Sequence, residues 1–286
     1  MKDMFSKEEA AMPTMAQGSP CTHVITVTSG KGGVGKTNVV ANLAVGLARA
    51  GKRVLVLDAD LGLGNIDVLL GLVPRYTLEH VLCGSHHLSD IIIQGPAGIQ
   101  VLPAGSGLPQ LTSLTDSQQL ILQTELEHVA DTVDVLLIDT GAGVSPTVTY
   151  FASAGQETIV VISPEPTSLT DAYALIKVLL RQHRERRFKV LVNMVKSQRD
   201  ATQTFRKLDA AADRFLNINL EYLGYIPLDD YLPMAVLQQK AVTECFPGSP
   251  ASRAFLQLAK EIAVWPDPQL PKSTVQFLWR QLVPMS

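Results

Sequence analysis

The sequence predicts a single doubly wound α/β domain, in which a mostly parallel sheet is covered by helices on both faces. Three observations predict this fold class. Short runs rich in Val, Ile and Leu alternate with segments of helical periodicity, as they do when strands are buried on both faces. A glycine-rich loop, residues 30–37, joins the first of these runs to the first helical segment. No linker-like change in composition interrupts residues 23–264.

Seven apolar runs are predicted to form the strands. The first run is rich in β-branched residues, which favour strands. The predicted strands are residues 23–28, 53–58, 99–103, 135–139, 158–163, 188–194 and 222–226. Helices are clearest where apolar residues recur at helical spacing between these strands. The predicted helices are residues 38–50, 117–131, 168–184 and 201–216.

The domain is expected to have an extension at each end. Residues 1–22 are predicted to be a flexible arm, and residues 265–286 a tail that contains a short amphipathic helix. Val275, Leu278 and Trp279 begin an apolar stripe on that helix, which continues to Leu282. Such a stripe binds a membrane surface, a groove in a partner or the chain's own globular domain, and the sequence leaves these three fates open.

Composition excludes several classes of protein. The chain has 24 basic and 27 acidic residues and a formal net charge of −3, so no direct nucleic-acid partner is expected. Cys21, Cys83 and Cys245 are scattered and lack metal-ligand spacing, which is typical of free thiols in a reducing compartment. No apolar run approaches the length of a membrane span, and the N-terminus lacks the apolar core of a secretion signal. We therefore expect a cytoplasmic protein.

The glycine-rich loop carries the most specific signal. Residues 30–37 read Gly-Lys-Gly-Gly-Val-Gly-Lys-Thr and match the phosphate-loop pattern G-x-x-x-x-G-K-[ST] at every fixed position. A strand, this loop and a helix follow one another, and in that context backbone N–H groups and the helix N-terminus bind phosphate. Lys36 is expected to reach the β- and γ-phosphates, and the Thr37 hydroxyl to ligate Mg²⁺. The predicted nucleotide-binding residues of the loop are Gly30, Lys31, Gly32, Gly33, Val34, Gly35, Lys36, Thr37 and Asn38.

Carboxylates follow two of the predicted strands. Asp58 and Asp60 end the second strand, and Asp139 ends the fourth. Ligands in doubly wound sheets bind at the carboxyl ends of the strands. An aspartate that ends an apolar strand, as Asp139 does, is the usual water-mediated partner of Mg²⁺ in phosphate-loop enzymes. Each carboxylate taken alone could instead cap a helix, but three beside a phosphate loop favour a catalytic site.

The nucleotide base is predicted to be adenine. GTPases that are specific for guanine normally carry an Asn-Lys-x-Asp run after a late strand, and the chain has none. Asn193, at the end of a late strand, instead resembles a single adenine-reading amide. ATP is therefore favoured over GTP.

Lys31 occupies a position that the general phosphate-loop pattern leaves free. A cation there can fold back onto its own phosphates or cross a dimer interface to the nucleotide of a partner. It can also be an ordinary solvated lysine, and the loop pattern alone leaves these alternatives open.

A family resemblance favours a functional role for Lys31. Lys31, within Lys-Gly-Gly-Val-Gly-Lys-Thr, resembles the signature lysine of the deviant phosphate-loop ATPases, the MinD/ParA group. Residues 58–72, Asp-Ala-Asp-Leu-Gly-Leu-Gly-Asn-Ile-Asp-Val-Leu-Leu-Gly-Leu, resemble the first switch of its MinD-like members. Pro164-Glu165 and residues 167–177, Thr-Ser-Leu-Thr-Asp-Ala-Tyr-Ala-Leu-Ile-Lys, resemble the flagellar-number regulators called FleN or FlhG. The likeness runs from about residue 23 to residue 283.

The resemblance implies a molecular switch that dimerises with ATP and hydrolyses it slowly, with Mg²⁺ as cofactor. By it, Asp60 orients the attacking water, and Lys31 crosses the dimer interface to complete the site of the partner subunit. Lys31, Lys36 and Asp60 form the implied catalytic set. Thr37 and Asp139 organise Mg²⁺, Asp139 through a water, with Asp58 as a further water-mediated contact. Glu165 is implied to contact nucleotide across the dimer interface, and Asn193 to read adenine.

The resemblance also implies partners. The family restrains flagellar gene expression by binding an AAA+ master activator of the FleQ type, commonly alongside the GTPase FlhF. A cell-pole or peripheral membrane location is implied besides the cytoplasm. FlhG proteins that stimulate FlhF carry an Asp-Gln-Ala-x-x-Leu-Arg element near the N-terminus, and residues 1–22 contain nothing like it. The stimulation of FlhF is therefore in doubt, whereas control of the activator is still expected.

Rival classes make other demands on the sequence. A nitrogenase-type reductase needs cysteines that bridge a cluster at the dimer axis, and Cys83 and Cys245 do not fit. A ParA partition ATPase needs a basic DNA-binding face, for which the net charge gives no support. A MinD division-site protein is the nearest rival, because both groups end in an amphipathic helix. A phosphate-loop kinase would differ in its fast phosphotransfer to a soluble acceptor.

Overall fold

The computed structural model describes residues 22–105, 114–129 and 132–266. Within these residues, eight strands form one sheet in the order β3-β4-β2-β5-β1-β6-β7-β8. The strands are β1 (His23–Ser29), β2 (Val54–Ala59), β3 (Ile93–Gln94), β4 (Gln100–Leu102), β5 (Val135–Ala142), β6 (Glu157–Ile162), β7 (Lys189–Val195) and β8 (Glu221–Pro227). Neighbouring strands run parallel except for β3, which pairs antiparallel with β4 at the sheet edge.

Helices connect the parallel strands, and three more follow β8 in the described part of the chain. They are α1 (Lys36–Arg49), α2 (Ile66–Leu69), α3 (Leu78–Leu82), α4 (Leu88–Ile91), α5 (Asp116–Val129), α6 (Pro146–Ala154), α7 (Pro166–His183), α8 (Gln198–Leu216), α9 (Tyr231–Leu237), α10 (Val242–Cys245) and α11 (Pro250–Ala263). Serine side chains cap three of them, because Ser145, Ser197 and Ser249 each accept a hydrogen bond from the backbone N–H three residues later.

The two faces of the sheet have separate cores. In β2, Val54 and Val56 belong to the cluster that packs under α1 and α11. Leu55 and Leu57 point the other way, into the cluster under α3, α4, α5 and α6. Further along the sheet, Val160 and Ile162 of β6 and Val190 and Val192 of β7 pack on that second face against α7 and α8. Alternation along each strand thus buries the sheet on both sides, and the loops at its carboxyl edge remain available for a site.

The predicted fold class is confirmed. Each predicted strand is present within one residue of its predicted bounds, except that β5 continues to Ala142. The four predicted helices are α1, α5, α7 and α8, and they begin up to three residues earlier than predicted. The strand β3 has two residues, too few for its sequence to show a periodicity. The tail helix and the N-terminal arm, apart from Thr22, lie outside the described residues.

Candidate nucleotide-binding site

The phosphate loop, residues 30–37, connects the end of β1 to the start of α1. Gly33 and Gly35 have φ angles of +78° and +88°, which side chains other than glycine rarely adopt. Val34, between them, is buried in the core under α1. A Cβ at Gly30 would overlap the backbone of Asp171 in α7, so glycine is also required where the loop begins. The loop is therefore held tightly at its base and turns sharply at two glycines.

The backbone of this loop can bind an anion. Within the described part of the chain, none of the N–H groups of residues 32–38 donates a hydrogen bond to another protein group. The helix begins here, and its first intrahelical donor is the N–H of Val39, which bonds the Gly35 carbonyl. Asn38, in the first turn, uses its carbonyl to accept a hydrogen bond from Asn42. A row of free N–H groups at a helix N-terminus is a phosphate-binding arrangement.

Lys36 and Thr37 face the end of β5. The Thr37 hydroxyl donates a hydrogen bond to the Asp139 carboxyl group, and the charge of Lys36 acts on the same group. Asp139 is fully buried, and burial raises its pKa to about 6, although Lys36 and Thr37 lower it. Its Oδ1 atom has no hydrogen-bond partner among the described residues. A buried carboxylate oxygen that lacks a donor beside a threonine hydroxyl fits the surroundings of a divalent cation.

Asp58 holds the segment that follows β2. It lies beside Asp139 in the register of β2 and β5. Its Oδ1 accepts a hydrogen bond from the Asp60 N–H at 3.1 Å, and its Oδ2 accepts one from the Ile66 N–H at 3.2 Å. Burial, followed by the charge of Asp139, raises the pKa of Asp58 well above its usual range. The structure therefore assigns Asp58 to anchoring the loop before α2, and its indirect contact with Mg²⁺ stays a prediction.

Asp60 lies on that anchored loop, close to the end of β5. Its Oδ1 atom is 3.4 Å from the position that a Cβ of Gly141 would occupy. Its charge also acts on both Asp58 and Asp139, so the three predicted carboxylates are brought together. Their role in orienting water stays a prediction.

Lys31 and Glu165 meet on the other side of the phosphate loop. The Lys31 Nζ atom donates to the Glu165 carboxylate in the same chain. Glu165 precedes Pro166, the first residue of α7. The predicted contacts of both residues across a dimer interface are not tested by a single chain, and they stay predictions.

Asn193 lies behind the phosphate loop. Its Nδ2 atom donates a hydrogen bond to the Val34 carbonyl at 2.8 Å, and its Oδ1 accepts one from the Met194 N–H at 2.9 Å. The structure therefore places it beside the predicted nucleotide site, and its contact with adenine stays a prediction.

Sequence reasoning missed several residues that shape the site. The Ser29 hydroxyl donates to the Lys31 carbonyl at 2.7 Å and so orients the entry to the loop. Gly64 approaches Asp58 closely, since a Cβ there would lie 2.8 Å from Asp58 Oδ2. Met194 has a φ angle of +59° without being glycine. Ser29 and Met194 occur in no motif, and the signal for Gly64 was its place in the segment 58–72, which resembles the first switch of MinD-like proteins.

Two further properties concern the described residues as a whole. In those ranges, no group of three or more His, Cys, Asp or Glu side chains is placed to hold a metal ion by itself. None of the helices described is long and apolar enough to span a membrane.

Comparison with known proteins points to one family. The family model described as ParA, NUBPL iron-transfer P-loop NTPase, matches residues 20–263. The antiactivator FleN of Pseudomonas aeruginosa is 47% identical over 260 residues, which cover 91% of this chain and 93% of that protein. The flagellum site-determining protein YlxH of Helicobacter pylori is 34% identical over 239 residues, which cover 83% of this chain and 81% of that protein.

A solved structure gives the same fold. The septum site-determining protein MinD of Pyrococcus horikoshii, in complex with Mg-ADP, aligns with a TM-score of 0.68 and 27% sequence identity. The alignment covers 84% of this chain and 96% of that one.

Proposed function

Because this chain belongs to the ParA/MinD family of P-loop ATPases, we propose that it is a dimerising ATP switch that restrains flagellar gene expression. One observation carries the proposal: the chain is 47% identical to an antiactivator over 91% of its length. The phosphate loop with its lysine, Lys31, supports the switch chemistry. The partner we propose is an AAA+ transcription activator of the FleQ type, and the outcome is control of flagellar number.

The residues at the strand ends fit a bound Mg²⁺. Thr37 would ligate the ion and Asp139 would hold it through a water, since Asp139 is buried beside Thr37 with one oxygen that lacks a donor among the described residues. When bound, the ion neutralises charge on the β- and γ-phosphates. Lys36, at the start of α1, supplies positive charge to the same phosphates.

Hydrolysis requires a positioned water molecule. Asp60 is the carboxylate that we propose for this task, because it is more exposed than Asp58 and Asp139, which are both buried. Asp58 supports it by accepting the hydrogen bond of the Asp60 N–H. A carboxylate that orients water contributes typically 10²–10⁴-fold, about the scale of general-base catalysis.

The carboxyl edge of the sheet supports a dimer. Leu63, Val144 and Leu228 follow β2, β5 and β8, and they are 73%, 47% and 59% exposed. Exposed apolar side chains around one edge are typical of a protein interface. In the dimer that we propose, Lys31 reaches the phosphates of the partner subunit, and Glu165 contacts the partner's nucleotide.

We propose residues 23–264 as the ATPase domain, with an arm and a tail as its extensions, and the match of the family model to residues 20–263 supports these bounds. The proposed location is the cytoplasm, with contact at the cell pole or membrane through the tail. The GTPase FlhF is a further candidate partner whose stimulation is not part of the proposal, since residues 1–22 lack the stimulating element. Direct binding to nucleic acid is not proposed either.

Capture of partners tests the function. The tagged protein, loaded with ATP or with ADP, is used to capture proteins from the cytosol of its native cell. Wild type is compared with Asp60→Ala, which should stay in the ATP state, and with Lys36→Gln, which should not enter it. With ATP, we expect wild type and Asp60→Ala to retain an AAA+ flagellar activator, and Lys36→Gln to retain none. With ADP, we expect wild type to retain none.

The rival functions predict different results. A MinC-like partner retained only with ATP would replace the proposal by a division-site function. Retention of DNA in an ATP-dependent manner would instead indicate a ParA-like partition ATPase. Fast phosphotransfer to a soluble metabolite in a coupled assay would indicate a kinase.

A further inference from the structure

Asn193 links the end of β7 to the middle of the phosphate loop. Its side chain is buried, with a relative exposure of 3%. Its Nδ2 atom donates to the Val34 carbonyl at 2.8 Å, across 159 positions of the sequence. We propose that Asn193 is a positioning residue, which holds the phosphate loop in the conformation that binds the triphosphate. The inference concerns ATP binding, and it does not depend on the flagellar role proposed above.

The loop is held at Val34 from two sides. The Val34 side chain is buried in the core under α1, and its carbonyl oxygen is held by Asn193. Gly33 and Gly35, on either side of Val34, have positive φ angles. Because glycine has the most freedom in the unfolded backbone, this part of the loop needs a contact from outside to stay in one conformation. Asn193 supplies that contact.

The next glycine of the loop packs against the same amide. A Cβ at Gly35 would overlap the Nδ2 atom of Asn193, and it would lie 3.4 Å from the Met194 Cε atom. Gly35 is therefore required for its φ angle and for its close approach to Asn193. The Lys36 N–H and the helix N-terminus follow directly, so the position of Asn193 determines where the phosphate-binding N–H groups lie.

The amide of Asn193 is oriented by its own backbone. The Met194 N–H donates to the Asn193 Oδ1 atom at 2.9 Å, which leaves Nδ2 to face Val34. Met194 has a φ angle of +59°, a conformation that is uncommon outside glycine and that persists only where the surrounding structure holds it. Met194, whose backbone is strained, therefore directly follows Asn193, whose side-chain orientation determines the contact with the loop.

A base-reading role and a positioning role predict different ligand specificities. If a residue only reads adenine, its replacement lowers the affinity for ATP and leaves the affinity for a ligand without a base unchanged. If a residue positions the loop, its replacement lowers the affinity for every ligand that carries the triphosphate. Inorganic tripolyphosphate, ATP and GTP, each with Mg²⁺, are therefore the probes that separate the two roles.

The experiment is calorimetric titration of Asn193→Ala with these three probes. Loss of one hydrogen bond to the loop should lower the affinity for all three probes by a similar factor, about three- to tenfold. The ratio of ATP affinity to GTP affinity should stay within about twofold of that of wild type. Unchanged tripolyphosphate affinity with weakened ATP binding would overturn the proposal and assign Asn193 to the base alone.

Controls separate positioning from general stability. Ser252→Ala deletes another fully buried polar group, on α11, which hydrogen-bonds the Val242 and Phe246 carbonyls, and it should leave tripolyphosphate affinity within about twofold of wild type. Asn193→Leu keeps the size of the side chain without its donor, and it serves if the alanine variant does not fold. Amide hydrogen exchange of residues 32–36 in the nucleotide-free protein should be faster in either Asn193 variant than in Ser252→Ala. Equal exchange and equal affinities in all three would show that the contact has no positioning role.

Discussion

Lys31 and Glu165 form an ion pair within one chain, at the ends of two neighbouring parallel strands. Lys31 follows β1, and Glu165 lies between β6 and α7. The two side chains are 34% and 61% exposed, and exposed pairs contribute at most about 1 kcal/mol. A triphosphate carries more charge than one carboxylate. Lys31 can therefore exchange Glu165 for phosphate at little cost.

The first prediction is that Lys31→Ala prevents dimerisation and leaves nucleotide binding nearly intact. If Lys31 reaches the phosphates of the partner subunit, its loss leaves charge uncompensated at the interface. By analogy with buried interfacial charge pairs the cost is about 2–5 kcal/mol, enough to dissociate a micromolar dimer. Sedimentation with a non-hydrolysable ATP analogue, over a range of protein concentrations, measures this directly.

Two variants control that experiment. Lys260→Ala removes an exposed lysine on α11 and should sediment as wild type does. Glu165→Gln removes the charge of the intrachain pair but keeps the lysine and a polar side chain that can contact the partner's nucleotide, so it should still dimerise. A dimer of normal stability in Lys31→Ala would mean that the lysine acts within its own subunit.

The second prediction is that Lys36→Gln abolishes ATP binding at the concentrations that saturate wild type. Removing the ammonium group takes the strongest side-chain partner from the β- and γ-phosphates, which costs roughly 3 kcal/mol or about a hundredfold in affinity. The protein should remain folded, and it should be monomeric at ATP concentrations that saturate wild type, because its own affinity is about a hundredfold lower. An affinity within about threefold of wild type by calorimetry would exclude this role for Lys36.

The third prediction concerns Asp60→Ala, which should bind ATP and dimerise but fail to turn over. Since Asp60 is proposed to position water, turnover should fall by about 10²–10⁴-fold while ATP affinity changes little. Cells with this variant should have too few flagella, because the switch remains in the ATP state. Single-turnover hydrolysis and flagellar counts are the measurements. Turnover at the wild-type level would assign the water to another group, such as Asp58.

The fourth prediction is a pH dependence of stability in the nucleotide-free protein. Burial raises the pKa of Asp139 from 3.8 to about 6, while Lys36 and Thr37 lower it. A carboxyl group with a higher pKa in the folded chain stabilises the fold fully below about pH 4, and this contribution is lost as the pH rises through about 6. The amide side chain in Asp139→Asn does not ionise, so this variant does not lose that stability as the pH rises.

Urea unfolding at several pH values checks this prediction. The free energy of unfolding of Asp139→Asn, relative to wild type, should rise between about pH 4 and pH 7 by on the order of 2 kcal/mol. A constant offset between the two proteins is expected as well, because the amide changes the contact with Thr37. A relative free energy that falls over this range would mean that Lys36 and Thr37 outweigh burial.

The phosphate loop and the main strands could be predicted because their signals are local. In residues 30–37, the glycines, Lys36 and Thr37 are neighbours in the chain, so their spacing alone predicts a strand, a tight loop and a helix N-terminus. The aspartates at the ends of β2 and β5 were also predictable. In a parallel sheet such strand ends meet at one edge, and the structure places Asp58 and Asp139 in register there.

The contacts that complete the site were decided by the tertiary structure. Glu165 reaches Lys31 across 134 positions, and Asn193 reaches Val34 across 159, so no local pattern contains either pair. They form because hydrophobic packing on both faces of the sheet sets β6 beside β1, and β7 beside β6. The sequence by itself determined the chemistry of the phosphate loop and the class of fold. Only the folded chain decided which side chains hold that loop, because burial and strand order bring distant residues within hydrogen-bonding distance.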